Sequence, residues 1–241
     1  MKTNAAISLG LSLIISVGIL ASSYLNRNQA TELIKVTGLG KKDFTSDLIV
    51  WEGTFSAINL DLQKAYEKVK NDKALIQEYL KEAGIVESEI LFSAININKE
   101  YNYSYDQSGR QTRTFIGHRL TQRIEIESKE VNKVEKTSRR ITELINQGVE
   151  LYSESPRYYY TQLTDLKIEM IAAATQDATL RAEQIAENAK AEIGELKQAR
   201  MGIFQIIGQN SNEDYSWGGT FNTSSKMKTA TITMKLEFEV D

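Results

Sequence analysis

The sequence predicts an α+β fold: mixed or antiparallel sheets covered by amphipathic helices, preceded by one N-terminal hydrophobic helix. Three observations carry this. Runs of β-formers are interleaved with long stretches whose apolar residues recur at three- and four-residue steps. Only one proline, Pro156, interrupts 241 residues, so long strands and helices are expected. An uncharged run from Thr3 to Asn26 stands ahead of an ordinary globular composition, 41% hydrophobic and 25% charged.

The uncharged run would span about 36 Å as a helix, against a hydrocarbon core of about 30 Å. Three roles fit it. One is a retained signal anchor. Another is a cleaved signal peptide, with Lys2 as its n-region and Ala21-Ser22-Ser23 as a small-residue cleavage site. The third is a buried core helix. The apolar stretch Ala5 to Leu20 is long for an h-region of about 7–15 residues, which favours the anchor. We therefore expect a tail over 1–4, a transmembrane signal anchor or signal peptide over 5–25, a linker over 26–32 and a domain over 33–240. Lys2 precedes the run, while Arg27, Lys35, Lys41 and Lys42 follow it. Those charges lean toward a cytoplasmic body, but long domains are translocated largely regardless of such a bias.

In the body, Leu33 to Thr37 reads as a short strand broken by Gly38-Leu39-Gly40. Asp47 to Ala57 reads as a strand with one more apolar face. A helix follows, capped at Asn59 or Asp61 and stopped at Gly84, with a stripe of Leu62, Tyr66, Val69, Ile76, Leu80 and Ala83. Ile90 to Ile97 and Phe115 to Ser128 form a hairpin whose polar, tyrosine-rich connection, 101–114, protrudes as a loop. A helix from about Glu130 to Gln147 carries Val131, Val134, Ile141 and Ile145 and ends at Gly148. A strand surrounds Tyr158-Tyr159-Tyr160, its entry restricted by Pro156. The longest helix runs from Thr164 to about Ile193 and is stopped by Gly194. Ala174, Ala178, Ala182, Ala186 and Ala189 descend one side of it, a seam for close backbone approach. Lys197 to Ile207 and Met227 to Val240 close the body, joined by a polar loop, 208–226. The passages Asp47 to Ile97 and Phe115 to Tyr160 echo each other as strand–helix–strand.

The body is large enough for one domain or two small ones, and can bury a core without staples. A net charge of −3 carries no nucleic-acid signature. With no cysteine there is no disulfide, thiol catalysis or cysteine metal site. His118 is the single histidine, too few for an ordinary zinc site, and no G-x-S-x-G elbow accompanies it. Gly38-Leu39-Gly40-Lys41-Lys42 lacks P-loop spacing, and the acidic residues lack EF-hand spacing. We assign no catalytic residue, cofactor or metal. The aromatic residues Tyr101, Tyr103, Tyr105, Trp217 and Phe221 are the candidate partner or oligomer contacts, because loop aromatics serve as interface anchors. Tyr101, Tyr103 and Tyr105 alternate, so one strand face would show all three.

Several short motifs then line up. Val36-Thr37-Gly38-Leu39-Gly40 is followed by Asp47 opening a strand and by Tyr79-Leu80-Lys81-Glu82-Ala83-Gly84-Ile85 at a helix exit. Gly117-His118-Arg119 comes next, then the helix bearing Ala173-Ala174, Asp177-Ala178, Arg181-Ala182-Glu183 and Ile185-Ala186, and the closing strand Ala230 to Val240. Over about Leu33 to Val240 this order resembles the SIMPL-domain family, formerly a domain of unknown function, which includes bacterial periplasmic immunogenic proteins. His118 stands where the family often has an aromatic residue. The resemblance implies an α+β fold, an envelope location with the body outside the cytoplasmic membrane, and a homo-oligomer, ring- or channel-like in some relatives. It brings no catalytic residues. The expectation is a non-catalytic protein of the bacterial cytoplasmic (inner) membrane, single-pass through 5–25, self-associating and linked to envelope or oxidative stress. The alternative location is the periplasm, after leader cleavage. The alternative function is an envelope module presenting 101–114 and 208–226 to a protein or ligand partner, and an enzyme is the third.

Overall fold

In this computed structural model the described residues are 10, 13–22, 32–105, 109–214 and 216–240. A helix, α1, covers 13–22. The expected tail (1–4), most of the expected linker (26–32) and both flanks of the expected span (5–25) lie outside the described residues. Among the described residues, no helix is long and apolar enough to cross a membrane.

The elements after α1 are β1 (Leu33–Thr45), β2 (Leu48–Asn59), α2 (Leu62–Glu82), β3 (Ile90–Phe92), β4 (Asn96–Tyr105) and β5 (Gln111–Ser128). Then come α3 (Val131–Arg140) with a 3-10 extension (Ile141–Gln147), β6 (Leu151–Ser153), β7 (Arg157–Tyr159), α4 (Leu163–Ala189), β8 (Ile193–Met201), β9 (Gln205–Gly208) and β10 (Met227–Val240). The fold is α+β with antiparallel sheets. One sheet has the order β1-β10-β8, with β9 also on β10; the other has the order β3-β5-β2-β6, with β4 on β5 and β7 on β2. The chain divides into a larger unit, Gly40–Ala172 with Ile203–Ile232, and a smaller one, up to Leu39 with Ala173–Gly202 and from Thr233 onward.

In the larger unit, β2-α2-β3/β4 and β5-α3-β6/β7 are two strand–helix–strand passages in one antiparallel sheet. This is the split βαβ, ferredoxin-like topology. The sheet exists because β2 and β5 alternate. Ile49, Trp51 and Phe55 point inward opposite Ser128, Ile126 and Gln122, and Gly53 faces Ile124. The helices cover that face with Val69, Ile76, Leu80, Val134, Ile141 and Leu144. The Trp51 indole donates to Ser153 Oγ at 3.0 Å, so its one polar atom is satisfied.

Helix α2 starts where Asp61 accepts the backbone N–H of Gln63 (2.8 Å) and Lys64 (3.3 Å). It stops at Gly84, whose φ of +78° is cheap for glycine, with Ile85 N–H donating to the Leu80 carbonyl. The buried stripe is Ala65, Val69, Asp72, Ile76 and Leu80. Leu62 and Tyr66 are exposed instead: beside the buried Ala65 they line an open groove with Ile97. After α3, Leu144 is buried and Ile145 exposed, because the tighter 3-10 winding rotates the last turn. Gly148 ends it at φ +77°.

In the smaller unit the alanines explain the geometry. Ala174, Ala178, Ala182 and Ala186 are all buried. A methyl added at Gly38 would lie 2.1 Å from the Ala174 carbonyl oxygen and 2.4 Å from the Ala178 nitrogen. Gly38 thus marks a helix pressed onto a strand, and β1 runs unbroken through Gly38-Leu39-Gly40. Leu39 N–H donates to Asp177 Oδ2 at 2.8 Å, and Arg181 holds the same oxygen at 3.0 Å. Those two donors hold the Asp177 carboxyl below its ordinary range, the Leu39 N–H first. Helix α4 ends at Ala189 rather than Gly194. Lys190 takes the left-handed conformation, φ 60°, and Ala191 N–H closes onto the Ala186 carbonyl at 3.0 Å. Gly194 lies inside β8, and Ala189 is exposed beyond the seam.

Candidate interaction surface

The stretch 101–114 is a ladder of two strands for most of its length rather than a loop. Its polar residues hid it, because a hairpin exposed on both faces has no burial alternation to display. β2 pairs with β5 as far as Asn59↔His118; past that point β4 carries the pairing, to Tyr105↔Gln111. The register slips between Glu100 and Tyr101, where Glu100 faces Gly117 and Tyr101 faces Phe115. A side chain at Gly117 would stand 2.8 Å from the Asn59 carbonyl oxygen.

The three tyrosines share one face of β4 but not one role. The Tyr101 ring lies 5.6 Å from that of Phe115, and the Arg113 guanidinium stands 4.1 Å above it. Tyr103 and Tyr105 are 53% and 70% exposed. His118 packs edge-on against Phe115, ring centroids 5.1 Å apart, and faces Asn59 and Lys99 in the ladder.

The 208–226 loop is built, not slack. The buried Gln205 amide clamps its tip: Nε2 donates to the Ser216 carbonyl and Oε1 accepts from Thr220 N–H, both at 2.7 Å. Gly219, φ +90°, turns the chain between them. On this turn Trp217 is 96% exposed. Phe221 is also exposed, bridged to Ile206 through its backbone. The loop base is a polar knot. Gly208 N–H donates to Glu213 Oε2 at 2.9 Å, and Asn222 Nδ2 donates to Glu213 Oε1. Lys228 Nζ, fully buried, donates to the Asn222 carbonyl. Gly208 N–H first, then Asn222, hold the Glu213 carboxyl below its ordinary range. Burial pushes the Lys228 amine down to about 8, against the pull of Glu213.

Two units, a ferredoxin-like sheet and an alanine–glycine seam, are now in view, and one family spans both. SIMPL, described as a protein of unknown function (DUF541), matches residues 34–239. The chain belongs to the SIMPL family. No curated protein matches the chain. The SIMPL match takes in the hairpin, the 208–226 loop and the seam alike.

Elsewhere in the SIMPL domain, Glu52 is buried on the face of β2 opposite the core, between Arg157 and Arg123, the latter at 3.2 Å. Three carboxylate or histidine side chains do not gather as a metal set among the described residues. Sequence reasoning missed Gln205 and Lys228. For Lys228 a signal existed: it shares the period-2 face of β10 with Ala230, Ile232 and Met234, all buried. For Gln205 none did, because its partners are backbone groups up to fifteen residues away.

Proposed function

We propose that the chain is a non-catalytic, membrane-tethered envelope protein that self-associates through its SIMPL domain and serves in envelope or oxidative stress. One observation carries the self-association. Tyr103, Tyr105 and Trp217 are displayed at 53%, 70% and 96% exposure on backbones already fixed by ladder or clamp hydrogen bonds. Aromatic anchors held in place before contact lose little entropy on binding. The tether is supported by the uncharged run Thr3 to Asn26, and the envelope location by the family resemblance. Light scattering on the purified full chain tests the association. A defined multimer is expected; the mass of one chain at high concentration would count against it. Membrane fractionation with intact-mass measurement tests the tether. A full-length chain in the membrane fraction is expected, and a chain beginning near Tyr24 would make it a secreted form.

A second reading, an envelope binding module for a different protein, is favoured by the Gln205 clamp, which orders an exposed indole ahead of any partner. It replaces the first if the purified chain is single and photo-crosslinking at Trp217 in the envelope captures a different protein.

A further inference from the structure

The larger unit carries an apolar groove as well as an exposed indole. Leu62 and Tyr66, in the first turns of α2, face Ile97 of β4, and Leu120 of β5 forms the floor. Ile97 stands directly opposite Leu120, which stands opposite Ala57, so the groove continues the helix-covered face of the sheet. Its volume is about 490 Å³, ample for an aromatic anchor. Leu62, Tyr66, Ile97 and the nearby Ile58 and Leu60 are all exposed. This is the region where the expected helix stripe failed to be buried.

Groove and indole lie toward opposite ends of one strand. The loop is tied down near the start of β2: Ser46 N–H donates to the Lys226 carbonyl, and Tyr158, paired with Ile49, donates to the Thr223 carbonyl. The groove lies at the end of β2, beside Ala57 and ahead of Leu62. The 12 residues of β2 extend about 37 Å. An anchor and its socket so far apart on one body cannot satisfy each other, but they can join successive copies.

The charges agree. Asp214, exposed, precedes Trp217 on the loop. Lys99, on the same face of β4 as Ile97, is exposed beside the groove. The one carboxylate lining the groove, Asp61, accepts the N–H groups of Gln63 and Lys64 as the cap of α2.

We propose that Trp217 of one copy seats in the Leu62–Tyr66–Ile97 groove of the next, a head-to-tail contact between copies of this chain. It rests on the self-association reading and names its interface. A heterologous contact of this kind closes into a ring when the rotation permits.

The chain has no cysteine, so introduced thiols report single contacts. Gly218→Cys places a thiol beside Trp217, where the added Cβ meets only Ser216 Oγ, at an ordinary 3.9 Å, and Gln63→Cys places one on the exposed groove rim. The two full-length variants, mixed and treated with a short bis-maleimide, should give a linked dimer containing one of each. Either variant alone should stay unlinked. Trp217→Ala, and independently Ile97→Asp, should raise the concentration for half-association on the order of tenfold or more with unchanged circular dichroism. Linking of Gly218→Cys to itself would mean a two-fold contact and overturn the proposal. So would the absence of mixed dimers from a wild type that is multimeric, a result that leaves self-association standing. A single-chain wild type at every concentration sinks both.

Discussion

The two units hold a helix against a sheet by opposite means. In the larger, bulky side chains fill the space: Trp51, Phe55, Ile76, Leu80 and Ile124 are wholly buried between sheet and helices. In the smaller, the space is nearly abolished. Buried alanines of α4 meet β1 at Gly38, with room for hydrogen and not for a methyl group. The first arrangement loses stability when atoms are removed and the second when they are added. The difference extends to surface. The larger unit leaves part of its apolar face uncovered at Leu62, Tyr66 and Ile97 and displays Trp217, whereas α4 buries its alanines and carries its exposed bulk, Leu180 and Ile185, outside that row.

Four substitutions break or sharpen this contrast. The largest effect is expected at Trp51. Trp51→Ala removes the largest buried side chain and leaves Ser153 Oγ only its bond to the Ser138 carbonyl, for a loss of about 4 kcal/mol in urea unfolding. Gly38→Ala, a single methyl, should cost about 3 kcal/mol in the same measurement, because the atoms in its way are helix backbone. The reverse change on the seam, Ala178→Gly, should cost only about 1 kcal/mol, mostly helix propensity. If Ala178→Gly proves worse than Gly38→Ala, the seam is held by volume after all. Leu62→Ala should cost about 0.5 kcal/mol or less, since the side chain is exposed, in contrast to the wholly buried Leu80 on the same helix.

The polar knot of the larger unit adds a pH test. Burial lowers Lys228 to about 8 in the folded chain, below its ordinary 10.5. The unfolded chain then binds more protons between those values, so this group makes stability rise as pH climbs through 8 toward 10. Tyr158 acts oppositely but higher: burial first, then Glu135, raise it to about 12, so its contribution falls only above pH 10. Denaturation midpoints from pH 7.5 to 10 should therefore rise less in Lys228→Met than in the wild type. Equal slopes would place the amine in contact with water.

How far the sequence discloses this molecule follows from what each signal depends on. Helix ends at Gly84 and Gly148, the Asp61 cap and the strand Met227–Val240 are local effects of φ, short hydrogen bonds and period-2 burial, and all were legible. The alanine row announced a close approach, but its partner did not. Gly38 reads locally as a break, and only the presence of α4 turns it into a contact. The α4 stop was misplaced at Gly194 because Lys190 adopts the left-handed conformation that glycine usually supplies. The Tyr101 to Tyr105 strand was hidden by its exposure, and Leu62 and Tyr66 looked like core because helix spacing is blind to where the covering sheet ends. Of the candidate surface, the aromatic residues were visible one by one. The clamp by Gln205 and the groove opposite were not, since both are made by residues distant in sequence.

Whether copies of this chain associate is most directly tested by mass photometry on the full-length protein extracted from its native source, followed across a dilution series. The account predicts a discrete multiple of one chain's mass that dissociates at higher concentration in Trp217→Ala than in the wild type. A single-chain mass throughout, in both proteins, would contradict it.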